Sequence, residues 1–241
     1  MSVAHYDTSV LCRYVKTVRI AITNERDKMA IYFDSADCAL MRKYASTGVF
    51  SGVTSNPTIL ARQGLRQQDI PELYRTLQEF GFDRLFFQTA GCTESEIEDS
   101  ARQILSLGDD VVVKIPATLE GLSVAAKVTN EGHEVLLTAV YDSTQAAIAG
   151  ELGAWGLAPY FCRMRDIGKD PELELKRMAR ILSETKTRIL AASLRKVEDV
   201  SAAFAAGADD VTISLSVAET LVNNPLSIEA LTTFERDGGR V

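Results

Sequence analysis

The chain has 241 residues, 46% hydrophobic and 24% charged, which suffices for one large core and allows either a single barrel-sized domain or two small domains. A net charge of −7 and a pI near 5.0 argue against nucleic acid or anionic membrane as main partner, so an anionic substrate would have to be held by local basic residues. No apolar run approaches the ~20 residues of a membrane span, and Cys12, Cys38, Cys92 and Cys162 are scattered without a CxxC pair, a pattern that fits a reducing cytoplasm better than a disulfide scaffold or zinc site.

Residues 1–28 stand apart from the rest of the chain. Their apolar stretch around Val10 to Ile22 is broken by Arg13, Lys16 and Arg19, too often for a secretory segment. They read as an appendage, either disordered or a weak amphipathic helix. From Met29 the domain over residues 29–241 alternates two textures. β-rich runs are expected at Ala30–Asp34, Gly52–Ser55, Arg84–Thr89, Val111–Ile115, Glu134–Val140, Trp155–Tyr160, Arg188–Ala192 and Asp210–Ser214. Helical spacing falls between them, at Glu94–Leu107, Gly121–Thr129, Ser143–Leu152, Pro171–Glu184 and Val197–Ala206. Thr93 with Glu96 forms a capping-box pattern, and Asp170-Pro171 places an acceptor before a first-turn proline. A last helix is expected over Ser227–Arg236. Strands alternating with helices imply parallel pairing, and eight units in this length fit a single (β/α)8 TIM barrel with a C-terminal helix. A doubly wound open sheet is the alternative, though no GxGxxG follows the first strand.

A barrel gathers its chemistry at the C-terminal ends of its strands. In order, those ends carry Asp34, Thr54 with Asn56, Gln88, Lys114, Thr138, Tyr160 followed by Arg163, Ser193 followed by Arg195, and Ser214. Lys114 stands out because it interrupts the β-branched run Val111-Val112-Val113-Lys114-Ile115-Pro116. A buried lysine is partly neutral and therefore nucleophilic, as a Schiff base requires. The plainer reading is an amine that snorkels to water along an apolar wall. Asp34 could cap the following helix, Asn56-Pro57 could be turn chemistry, Tyr160 could be aromatic packing, and the arginines could form surface salt bridges. Of the two histidines, His5 lies in the appendage and His133 precedes the fifth strand, so neither a Ser-His-Asp triad nor a histidine-rich metal site is indicated.

Several motifs in register carry a resemblance. Gly52-Val53-Thr54-Ser55-Asn56-Pro57-Thr58, Val112-Val113-Lys114-Ile115-Pro116-Ala117-Thr118 with Glu120-Gly121-Leu122, Thr138-Ala139-Val140-Tyr141, Ala158-Pro159-Tyr160 and Ala191-Ala192-Ser193 resemble the transaldolase family, in its short fructose-6-phosphate aldolase-like branch. The likeness runs from about Met29 to the C-terminus. It implies a (β/α)8 barrel and class I chemistry that needs no metal or cofactor. By that resemblance Lys114 attacks the ketose C2 carbonyl, Asp34 handles protons at the substrate hydroxyls, and Asn56 binds the three-carbon unit. Thr138 positions a catalytic water, Arg163 holds the substrate phosphate, and Ser193 and Arg195 are placed to help it.

Two positions separate the branches. Transaldolases resemble one another in a glutamate ending the third strand and a phenylalanine in the sixth-strand motif, where this chain has Gln88 and Tyr160. That pair resembles the aldolases, in which the phenol helps to activate water and release free dihydroxyacetone. Cleavage of a ketose phosphate such as fructose 6-phosphate is therefore the expected activity, with glyceraldehyde 3-phosphate as the second product. A transaldolase, or an enzyme for a sulfonated ketose, is the alternative, and a non-catalytic sugar-phosphate-binding barrel is a third. Cys162 beside Arg163, and Asp166-Ile167-Gly168, depart from the aldolase pattern. The resemblance also implies a homo-oligomer, a pentamer or decamer, with the last helix lying on a neighbour.

Overall fold

The strand ends meet in one ring because eight parallel strands close in sequence order. These are β1 (Ala30–Asp34), β2 (Gly52–Thr54), β3 (Arg84–Gln88), β4 (Val111–Pro116), β5 (Val135–Val140), β6 (Gly156–Pro159), β7 (Arg188–Leu194) and β8 (Asp210–Ile213), with β1 paired to both β2 and β8. The computed structural model describes residues 29–239; the appendage expected over residues 1–28 lies outside them. The expected helix signals operate as read. Thr93 and Glu96 exchange capping bonds, and Asp170 accepts from the amides of Glu172 and Leu173. Asn56 begins a short helix, Pro57–Arg62, rather than a simple turn.

Side-chain alternation sorts the barrel into layers. Inward-facing Tyr32, Phe86, Val112, Leu136, Ala158, Leu190 and Ala192 fill the interior, while the neighbouring positions along each strand join the larger core beneath the helices. Two residues further along, the inward positions turn polar, and the candidate site begins there. Gly52 takes the matching inward position on β2. A Cβ there would lie 1.8 Å from the Arg84 carbonyl oxygen, so β2 and β3 can approach only without a side chain.

Two strands break the alternation. Register shifts between Leu137 and Val140 in β5, and between Ala191 and Leu194 in β7, mark one extra residue in each. The inserted residues, Ala139 and Ser193, have φ of 57° and 62°, left-handed values that cost on the order of 1–3 kcal/mol for a residue other than glycine. The expected β7 therefore extends past Ala192 to Leu194, and Ser193 lies inside a bulged strand. Ser214 does not end β8; it caps the helix Leu215–Val222.

The floor, at the opposite end from the site, is polar as well. Arg188 donates to Asp210 at 2.6 and 2.8 Å, and the same carboxylate accepts from the Ala30 amide at 2.9 Å, so one buried group joins β7, β8 and β1. Asp210→Asn is expected to cost about 3–5 kcal/mol, the usual penalty for breaking a buried pair from one side. Urea unfolding should show it as a lower midpoint at unchanged slope.

Candidate active site

Lys114 lies on β4 and is 5% exposed, which rules out the snorkelling arrangement. Its Nζ donates to the Ser55 carbonyl at 2.9 Å across the end of β2. Burial pushes its pKa below the ordinary lysine value, and the nearby Asp34 carboxylate offsets part of that shift. The free-amine fraction at neutral pH is thus larger than in an exposed lysine.

Asp34 does not cap the next helix; Asp37 does, accepting from the Leu40 amide. Instead Asp34 Oδ1 accepts from Thr54 Oγ1 at 2.7 Å, and Thr54 Oγ1 lies 2.7 Å from Thr212 Oγ1. With its single proton given to the carboxylate, Thr54 can only accept from Thr212. The two buried hydroxyls form a one-way chain that orients Asp34. Thr54 is therefore placed to hold the aspartate, and Thr212 is a member of the site absent from the expected set. Its signal was the alternation from Asp210, which makes Thr212 face inward.

Gln88 ends β3 in register with Lys114, and its Oε1 is buried without a protein partner. Gln67 fixes the backbone behind it, donating to the Gln88 carbonyl at 3.0 Å and to Ser100 at 3.1 Å.

Thr138 and Tyr160 meet on the other side. Their hydroxyls are 3.0 Å apart. The two bulges flank Tyr160: its amide donates to the Val140 carbonyl, and it bridges Ala192. Tyr141 packs edge-on against the Tyr160 ring at 5.4 Å. The Arg163 guanidinium stands over that ring, 4.6 Å from its centroid. The nearby Tyr141 side chain, and after it Tyr160 and Asp34, hold the arginine pKa above its usual value. Arg163 is thus an exposed cation at the rim, close enough to feel Asp34.

Two expected ligands stand differently. Asn56 uses its Oδ1 to cap the Pro57–Arg62 helix at 3.0 Å, which leaves its amide nitrogen as the available donor. Arg195 has both terminal nitrogens on the Asp166 carboxylate, so the salt-bridge reading describes it better than that of a free anion ligand. Ser193 sits in its bulge next to the loop that carries Arg195. Among the described residues no group of three or more His, Cys, Asp or Glu is placed to hold a metal ion.

Comparison with known proteins agrees on family and fold. A family model described as "Transaldolase/Fructose-6-phosphate aldolase" matches residues 31–238. A protein of Thermoplasma volcanium named "Probable transaldolase" is 32% identical over 88% of this chain and 96% of its own length. One of Caulobacter with the same name is 33% identical over 87% of this chain and 96% of its own length. Among solved structures, a thiamine phosphate pyrophosphorylase from Pyrococcus furiosus superposes with a TM-score of 0.55 at 16% identity, covering 79% of this chain and 88% of that one. A mandelate oxidase superposes with a TM-score of 0.55 at 18% identity, covering 78% of this chain and 64% of that one. At such identities the structures share the barrel alone.

Proposed function

The chain belongs to the transaldolase/fructose-6-phosphate aldolase family, and from that premise we propose that it cleaves and forms the C3–C4 bond of a ketose phosphate through a Schiff base on Lys114. The observation that carries this reading is the buried amine, lowered in pKa beside Asp34 and on the same inward layer of the strand ends as Gln88, Thr138 and Tyr160. Nζ adds to C2 of the ketose, and loss of water from the carbinolamine gives a protonated imine. Asp34 takes the C4 hydroxyl proton as the C3–C4 bond breaks. The bonding electrons move into the imine, leaving an enamine on Lys114 and releasing the aldehyde. Arg163 and Ser193 hold the anionic end, and Asn56 the three-carbon unit.

The fate of the enamine decides between aldolase and transaldolase. A water hydrogen-bonded beside the Thr138–Tyr160 hydroxyl pair can supply a proton to C3 and then hydrolyse the imine, giving free dihydroxyacetone. Gln88 in place of a carboxylate and Tyr160 in place of a plain ring favour this aldolase outcome. The transaldolase reading is favoured by the names of the curated relatives. The two differ in one assay: with labelled fructose 6-phosphate, free dihydroxyacetone without acceptor supports the aldolase, whereas an absolute need for erythrose 4-phosphate supports the transaldolase. Borohydride with fructose 6-phosphate should leave a reduced adduct on Lys114, and its absence would sink both readings in favour of a binding barrel.

Assembly and setting fit the same function. The helix Pro225–Asp237 buries none of its side chains, and Leu226, Ile228, Leu231 and Phe234 are all exposed. Such an apolar patch favours a homo-oligomer. Phe234→Glu is expected to lower the mass measured by light scattering, and an unchanged mass would contradict this role for the helix. Cys38, Cys92 and Cys162 are free thiols, in keeping with a cytoplasmic place in sugar-phosphate metabolism. No described helix is long and apolar enough to cross a membrane.

A further inference from the structure

Asp199 is a buried carboxylate that the proposed chemistry does not use. It is the third residue of the helix Val197–Ala205, and its side chain is 2% exposed. Its Oδ2 accepts from the backbone amides of Arg195 and Lys196 at 3.1 and 3.2 Å, and from Cys162 Sγ at 3.2 Å. Its Oδ1 accepts from Arg165 at 3.0 Å. Arg165 also approaches Cys162 Sγ at 3.8 Å, so the thiol gives its proton to the carboxylate and faces a cation with its lone pair.

These donors come from two segments, which the exposed Arg195–Asp166 pair also joins. Cys162 and Arg165 flank Arg163 on the helix Phe161–Asp166, and Arg195 and Lys196 follow the left-handed Ser193 at the end of β7. A non-glycine residue stays in that conformation only where its surroundings over-determine it. The carboxylate fixes the chain two and three residues downstream of Ser193, and the same atom grips the helix beside Arg163.

We propose that Asp199 is a positioning residue for the anion-binding end of the active site, acting through Arg165 and Cys162 on Arg163 and through the loop amides on Ser193. This rests on the Schiff-base reading above and adds to it a device that sets affinity for the charged head group without touching it. The Arg195–Asp166 pair that joins the same segments is exposed and screened, whereas Asp199 is a desolvated acceptor shared by both, so the buried carboxylate couples their spacing more strongly.

The test uses the full-length enzyme in the synthetic direction, with dihydroxyacetone as donor and two acceptors, glyceraldehyde 3-phosphate and unphosphorylated glyceraldehyde. Asp199→Asn is expected to raise KM for the phosphorylated acceptor about tenfold while kcat/KM for glyceraldehyde stays within twofold. Borohydride trapping of dihydroxyacetone on Lys114 should be unchanged. Arg165→Gln, at the exposed end of the network, should show the same selectivity at about threefold and decides the matter if Asp199→Asn does not fold. Cys162→Ser, which keeps a donor, should behave as the parent. Equal losses with both acceptors, or no change with either, would overturn the proposal. Failure of the Schiff-base reading itself shows separately, as no trapped adduct in the unmodified enzyme.

Discussion

Lys114→Met should abolish turnover, by roughly 10³-fold or more, and leave no borohydride-trapped adduct, while the barrel stays folded. The side chain changes little in length, and the site loses only the amine and its bond to the Ser55 carbonyl. The variant also reports on the environment of the amine through its stability. Burial holds the pKa of Lys114 below its unfolded value of 10.5. Between the two values the unfolded chain binds more protons than the folded one, so the parent gains stability as pH rises through that window. Below the folded value the amine is charged in both states and the full desolvation penalty stands. The methionine variant has no such term. The difference in Tm between variant and parent should therefore move in favour of the parent as pH rises toward 10.5. In a domain of this size about 1 kcal/mol corresponds to ~2–4 °C, which calorimetry resolves. A flat difference would mean that the amine is not desolvated in solution. Retained turnover would mean that the nucleophile lies elsewhere.

Tyr160→Phe should separate the two fates of the enamine. The phenol is the partner of Thr138 at 3.0 Å, and removing it leaves that hydroxyl without its neighbour while keeping the ring beneath Arg163 and beside Tyr141. Release of free dihydroxyacetone is expected to fall on the order of 10²-fold, the usual size of a general-acid contribution. Transfer of the three-carbon unit to erythrose 4-phosphate needs no proton at C3 and should change far less. The measurement is the ratio of free dihydroxyacetone to transfer product from one labelled donor. Equal falls in both would assign Tyr160 to substrate binding, and no fall would return it to packing.

The ring of the barrel was legible because its chemistry sits where backbone geometry dictates. Asp34, Thr54, Gln88, Lys114 and Thr138 each lie two residues beyond an inward position, and period-two alternation carries them to the same height on successive strands. The relations among them were not. Thr212 carries no local signal beyond its phase, because Ser214 is the more obvious strand end, and Ser214 caps a helix instead. The acceptor of the Lys114 amine is a backbone carbonyl, which has no signature in a sequence. Arg163 and Arg195 read alike along the chain, yet one lies over a phenol and the other grips Asp166.

The sequence by itself determined the alternation, the eight strands, the family and the lysine, since these come from local pattern and from motifs held in order. Only the tertiary structure decided which polar groups share a proton, which arginine stays open at the rim, and that Ala139 and Ser193 are extra residues in bulged strands. The physical reason is that those outcomes depend on competition. A carboxylate can satisfy a guanidinium, a thiol or a loop amide, and which of these it meets is set by strands distant in the chain. Lys114 illustrates both halves: its position in a β-branched run was written in the sequence, and its burial beside Asp34 was decided by closure of the barrel.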